Sequence, residues 1–270
     1  MLARKSAPRL DYVSPVWFEA EVEVDGYRMP SGVTIRGQEN INHDFIQAMK
    51  KANPATKIVP RIKFEYMPET FKDLVTNEVL IRRIGQTIVE FLKKFRLGGA
   101  VIEFLYSDLY TVENDSWLKL NYYESCQSIA KTFKNHNLTA ILAIPPPIGA
   151  YIHSGETKWI PAMTSKECTL LLKDFDFVHF WTYNDFSHQG HRINIEQIRR
   201  THELCRESKK VMIGLNFYGT QYSLNEHRAG KTGVGNGNTL MGKEYLKLLS
   251  DPSAKLEFNY ENMEHELVLE

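Results

Sequence analysis

Six short apolar runs, rich in β-branched and aromatic residues and separated by longer amphipathic stretches, constrain this chain more than any single motif. Tyr12–Trp17, Lys57–Phe64, Gly99–Phe104, Leu138–Ile144, Phe177–Tyr183 and Val211–Phe217 read as strands. Each is followed by a helical candidate. Asn42–Lys51 carries Phe45, Ile46 and Met49 at helical spacing before Ala52-Asn53-Pro54 stops it, and Thr76–Phe95 aligns Val79, Leu80, Ile84, Ile88, Phe91 and Leu92. Ser116–His136, Ser165–Lys173, Asn194–Glu207 and Gly242–Leu249 complete the set. Strands apolar on both faces and joined by helices form a parallel α/β sheet, either open and doubly wound or closed as a barrel. Lys255–Tyr260 and Glu266–Leu269 alternate around a polar turn and predict a terminal hairpin.

The loops decide between the two sheets. No G-x-G-x-x-G opens a helix after the first strand, which removes the main support for a dinucleotide fold. Gly230–Gly242 is glycine-rich but lacks phosphate-loop spacing and reads as a mobile loop. Polar and aromatic residues instead gather past the strand ends: Glu65, Tyr66, Tyr106, Asp108, Asn184, Asp185, His188, Tyr218, Gln221 and Tyr222. A barrel places its site on that face, although six units fall short of the eight that close one.

Composition excludes several classes of function. With 43% apolar and 24% charged residues over 270 positions, the chain makes one sizeable domain or two small ones. Lys+Arg 33 balance Asp+Glu 33, so no global basic field exists to bind nucleic acid or an anionic membrane. No apolar run reaches the roughly 20 residues of a membrane span, and MLARKSAPRL lacks the apolar segment of a signal peptide. Cys126, Cys168 and Cys205 allow at most one bridge, and the sequons at Asn114 and Asn137 are compatible with secretion but also arise by chance.

Three groups of residues could carry chemistry: the carboxylates, one aromatic run, and the nine histidines, of which His179 and His188 fall in or just after that run. Glu65 ends one strand, Glu103 sits in the next and Asp108 follows; paired carboxylates serve as acid and base on a glycosidic bond, while the residues favour the structural reading, a buried hydrogen-bonded Glu103 and a solvated loop Asp108. In Phe177–Tyr183 period two puts His179, Trp181 and Tyr183 on one side, where they either stack on a sugar ring or fill the core. No H-E-x-x-H or H-x-H occurs, which argues against zinc, and no G-x-S-x-G supports a serine hydrolase. Neither a metal nor an organic cofactor is called for.

Ser14-Pro-Val-Trp17, Ile58-Val-Pro-Arg61 with Phe64-Glu65, Gly98-Gly-Ala-Val-Ile-Glu103, Ala143-Ile-Pro-Pro146, Trp181-Thr-Tyr183 and Gly214-Leu-Asn-Phe-Tyr-Gly219 resemble, in order and spacing, glycoside hydrolase family 18. The resemblance implies a TIM (β/α)8 barrel domain over 1–270, incomplete because it holds βα units two to seven and misses the first and eighth strands, with a hairpin insertion at 251–270. Two adjacent missing strands would leave two unpaired edges. A missing start would account for the absent signal peptide.

The family's acidic signature D-G-x-D-x-D-x-E aligns with Gly98, Val101 and Glu103 at the three aspartate positions and Leu105 at the acid position. Leucine cannot protonate a leaving group, so ordinary family 18 catalysis should be lost. Tyr183 matches the tyrosine that holds the substrate N-acetyl group, whereas Asn184 replaces the aspartate after it. What the resemblance implies is a chitinase-like lectin with no catalytic residue. Its groove would use Trp17, Glu65, Glu103, Trp181, Tyr183, Asn184 and Tyr218 to bind a chitin-like or lipopolysaccharide glycan. It also implies a secreted or lysosomal location, a role in innate immunity and a scavenger-receptor type partner. The alternatives are a glycosidase with a displaced acid and a protein-binding scaffold.

Overall fold

In a computed structural model, which describes residues 5–104, 116–153, 156–183, 195–221, 238–260 and 264–269, each of the six apolar runs contributes a strand. The elements follow as β1 (Tyr12–Val13), β2 (Val16–Val24), β3 (Pro30–Arg36), α1 (His43–Ala52), β4 (Lys57–Ile58), β5 (Arg61–Glu65), α2 (Phe71–Thr76), α3 (Glu78–Lys94) and β6 (Gly99–Glu103). They continue as α4 (Ser116–Asn135), β7 (Thr139–Ile144), β8 (Ile148–His153), β9 (Glu156–Pro161), α5 (Ser165–Asp174), β10 (Phe177–Phe180), α6 (Ile195–Leu204) and β11 (Val211–Ile213). Last come β12 (Tyr218–Gln221), β13 (Asn238–Met241), α7 (Gly242–Leu249), β14 (Ala254–Asn259) and β15 (Glu264–Leu269). A seven-stranded sheet runs β11-β10-β7-β6-β5-β2-β3 and, among the described residues, does not close on itself. No described helix is long and apolar enough to cross a membrane.

The chain divides into two compact units, one of Met1–Ile144, Ser165–His179 and Lys209–Val211 and the other of Pro145–Thr164, Phe180–Ser208 and Met212–Glu270. In the first, β2, β5, β6 and β7 pair in parallel, as alternating βα units require. Register lines up Phe18, Ile62, Ile102 and Leu142 as one apolar row, every member buried. Such burial is worth roughly 1.5–3 kcal/mol per side chain. The row lies under helices: Phe91 of α3 meets Phe18 edge-on at 4.9 Å, and Tyr122 of α4 donates its hydroxyl hydrogen to the Phe104 carbonyl at 3.1 Å.

β6 and β7 approach closely at Gly99, which has φ +147°, and a Cβ there would lie 2.0 Å from the Thr139 carbonyl oxygen. Only glycine fits that contact. Asn77 divides the anticipated Thr76–Phe95 helix, because its side chain accepts the Leu80 N–H at 3.0 Å and so starts α3 afresh at Glu78. Val79, expected on the apolar stripe, is consequently exposed, and Ile81 is buried instead.

β3 was not anticipated. It pairs antiparallel with β2 from Glu19↔Arg36 to Val24↔Pro30, so the expected bare edge of β2 is covered by the chain's own hairpin. β2 itself runs seven residues past Trp17, through Val24. Its Phe-Glu-Ala-Glu-Val-Glu alternation, acids on one face and apolar residues on the other, explains both the length and the pairing.

Among the described residues the second unit contains three antiparallel strand pairs, β8–β9, β12–β13 and the anticipated β14–β15. Asn238–Met241, read from sequence as part of a mobile glycine-rich loop, are the strand β13, fixed by pairing with β12. In α6, Gln197 donates to the Ile148 carbonyl at 2.9 Å, and Arg200 lies 5.1 Å over the Trp159 ring.

Candidate functional site

Period-two alternation sends Arg61, Lys63 and Glu65 of β5 to the face opposite Ile62 and Phe64. Neighbouring strands carry the same logic sideways. Arg36 stands opposite Glu19, Glu19 opposite Lys63 and Lys63 opposite Glu103, a row of alternating charge across four strands. One row nearer the C-terminal ends, Thr34, Glu21 and Glu65 are aligned. Arg36 forms an ion pair with Glu21, and Thr34 donates a hydrogen bond to Glu23.

Glu103, the last residue of β6, is 9% exposed. Arg61 Nη1 lies 3.2 Å from its Oε2. Burial pushes the Glu103 carboxyl above the usual carboxylate range; Arg61 and Lys63 pull it back and Glu65 opposes them. Lys63 Nζ sits 2.5 Å from Glu65 Oε1, and that hydrogen bond, against some desolvation, holds the ammonium above its ordinary value. Arg61 Nε is buried and meets no acceptor among the described residues. This face therefore offers carboxylate acceptors and cationic donors side by side, the polar equipment that fixes hydroxyl and amide groups of a ligand.

Glu65 and Glu103 are the last residues of the neighbouring strands β5 and β6 in the first unit, whereas the sequence placed Glu103 inside its strand. Trp17 also belongs there, with its ring edge-on to Phe18 at 6.0 Å and to Phe45 of α1 at 6.4 Å. Gly98 donates its N–H to the Ile58 carbonyl, and Val101 faces Arg61. Trp181, Tyr183 and Tyr218 fall in the second unit, all partly exposed. Leu105, Asp108 and Asn184 lie outside the described residues.

The strand expected through Tyr183 ends at Phe180, because Thr182 turns its N–H back to the Phe180 carbonyl at 2.9 Å and donates its hydroxyl to the Gly214 carbonyl at 2.8 Å. Strand alternation thus orients His179, whose imidazole is held below its ordinary pKa by burial, but does not govern Trp181 or Tyr183. The strand expected through Phe217 ends at Ile213, leaving Phe217 90% exposed.

No known family model matches the sequence. Solved structures do match. The spore cortex-lytic enzyme SleL of Bacillus megaterium QM B1551 aligns over 97% of this chain and 56% of its own, with TM-score 0.65 and 17% identity. A GH18 chitinase from Cycas revoluta in complex with (GlcNAc)3 aligns over 98% and 80%, with TM-score 0.69 and 12% identity. The chain has the fold of the family 18 chitinases. A third match is a glutamate-to-leucine mutant of Ostrinia furnacalis Group II chitinase catalytic domain 2, in complex with penta-N-acetylchitooctaose, at TM-score 0.63 and 13% identity over 96% and 73%. The chain spans just over half the length of SleL. At such identities the likeness carries the α/β architecture anticipated from the βα repeat, and the chemistry is argued from the residues themselves.

Sequence reasoning missed Glu19, Glu21, Arg36, Arg61 and Lys63 as members of the polar face. The alternation of Glu19, Glu21 and Glu23 was available as a signal for the acids. Nothing in the linear sequence aligns Arg36 with Lys63, since their relation depends on the register of two separate pairings.

Proposed function

We propose that this chain is a glycan-binding protein, one that holds a chito-oligosaccharide or a related N-acetylated glycan at the C-terminal ends of its parallel strands without hydrolysing it. The observation that carries the reading is the charged row ending in Lys63 and Glu103, beside Glu65, on the polar face of a sheet with the chitinase fold. Those groups donate to and accept from hydroxyls and amides, while the acid position of the family signature is Leu105. The Ostrinia domain with leucine in place of a glutamate still holds an oligosaccharide, a precedent for binding without that carboxylate. In the second unit, the family resemblance assigns stacking to the partly exposed Trp181 and Tyr218 and a hydrogen bond with an N-acetyl group to Tyr183.

We further propose, from the resemblance of the motif runs, a likeness to chitinase domain-containing protein 1, the stabilin-1 interacting chitinase-like protein. From that similarity come a secreted or lysosomal location, a link to innate immunity, lipopolysaccharide glycan as an alternative ligand and a scavenger-receptor type partner. Cys168 and Cys205 are buried and disulfide-bonded, which supports a compartment that forms disulfides.

Calorimetric titration with chitohexaose tests the proposal. Binding with Kd on the order of micromolar, about −8 kcal/mol, without hydrolysis products is expected, and it should vanish in a folded Trp181→Ala variant. A folded wild-type chain that releases no heat with chitohexaose would sink the reading. One observation favours a second reading, a glycosidase with a displaced acid: Glu103 is nearly buried at the end of β6, and burial raises its carboxyl. That enzyme would cleave chito-oligosaccharides with an acidic limb in its rate profile and lose activity in Glu103→Gln. Turnover no greater than that of the blank rejects it.

A further inference from the structure

We propose that Asn137 carries an N-linked glycan. Asn137-Leu138-Thr139 is one of two sequons, and the other, at Asn114, lies outside the described residues. Asn137 is exposed in the turn between α4 and β7, with φ +56°, and its N–H donates to the Lys134 carbonyl at 3.1 Å. This is the left-handed position after a helix where asparagine substitutes for glycine. No hydrogen bond engages its side-chain amide among the described residues, so a glycan there would displace no contact.

The cysteines agree with that modification, since Cys168 and Cys205 are disulfide-bonded. Disulfide-bonded cysteines belong to the secretory compartments in which asparagine glycosylation occurs, and the inference rests on the secretory location proposed above. Position fits as well. Asn137 precedes the first residue of β7, whereas Glu65 and Glu103 end their parallel strands, so the glycan would stand at the opposite end of the sheet from the candidate site.

The fold dictates when the modification happens. Thr139, the hydroxyl residue of the sequon, is 4% exposed. Its Oγ1 accepts from Lys57 Nζ at 3.0 Å and its N–H donates to the Gly98 carbonyl at 3.0 Å. A transferase that must read this hydroxyl cannot reach it once β6 and β7 have paired. The transfer therefore precedes folding. In it, the Asn137 amide nitrogen attacks the anomeric carbon of a lipid-linked oligosaccharyl pyrophosphate. The C–O bond to pyrophosphate breaks, the new C–Nδ2 bond forms, the lipid pyrophosphate leaves with the bonding electron pair, and the amide proton passes to base.

The test is to express the full chain behind a cleavable secretory leader in animal cells and release N-glycans enzymatically in heavy-oxygen water. Expected is a peptide in which Asn137 has become isotope-labelled Asp, a mobility step of one glycan lost in Asn137→Gln, and no modification when folded chain made in bacteria is offered to microsomes. Secreted chain whose Asn137 peptide is unmodified overturns the proposal. Thiol titration of Cys168 and Cys205 on the same material reports separately on the compartment. Modification of the folded bacterial chain at Asn137 would overturn the claim that transfer precedes folding.

Discussion

Arg61 reaches Glu103 diagonally: the residue it faces across the β5–β6 ladder is Val101, yet its Nη1 lies 3.2 Å from Glu103 Oε2. Lys63, which does stand opposite Glu103, is drawn instead along its own strand to Glu65. Two cations and two carboxylates thus share a small area in which each pair limits the freedom of the other.

Removing one cation should expose that coupling. Arg61→Ala leaves a largely buried carboxylate with one partner fewer, and a loss of about 1–3 kcal/mol is expected in urea melts at neutral pH. Because burial raises the Glu103 carboxyl in the folded state, its contribution favours folding most fully below the ordinary glutamate range and is lost as pH rises through the raised value. Arg61→Ala should widen that window upward in pH, and Glu103→Gln should abolish it. Identical pH–stability curves for wild type and Glu103→Gln would refute the assignment.

Gly99 sets the distance between β6 and β7. Gly99→Ala combines an unfavourable positive φ with a 2.0 Å approach to the Thr139 carbonyl oxygen, and a loss of roughly 3 kcal/mol or more is expected. Gly26, around which a Cβ would meet nothing within 4 Å, is the control; its substitution by Ala should shift the denaturation midpoint little. Comparable shifts in the two variants would remove the special role of Gly99.

Thiol chemistry separates the three cysteines. Cys126 is free, fully buried in α4 and has its thiol pushed up to about 12, so it should not react with a thiol reagent while the chain is folded. Unfolding without reductant should release one reactive thiol per chain and unfolding with reductant three, as counted by absorbance. Three thiols without reductant would show Cys168 and Cys205 to be reduced.

The βα rhythm was legible because it depends on short-range pattern alone; all six apolar runs became strands and all six helical candidates contain helices. Pro30-Ser-Gly-Val-Thr-Ile-Arg36 was not, since its Pro, Ser and Gly speak locally for a turn and only pairing with β2 makes it a strand. The ends of β10 and β11 were overrun for the same reason, the turn after Phe180 being fixed by the distant Gly214 carbonyl. At the candidate site, Glu65 and Glu103 could be named from their places near strand ends. The cations could not be placed beside them, because their meeting is a matter of register and not of sequence spacing.

The β2–β3 hairpin also has a consequence in time. Its strands are joined by a tight turn in which Asp25 donates to the Met29 carbonyl at 2.9 Å, while β2–β5, β5–β6 and β6–β7 each wait on a helical crossover. Closing a short loop costs little chain entropy, and hairpins form in about 1–10 μs. A nascent chain emerging from its N-terminus would complete this pair before β5 exists. The outer edge of β2 would then be capped throughout synthesis, and the slow parallel assembly would proceed from one growing edge in one direction.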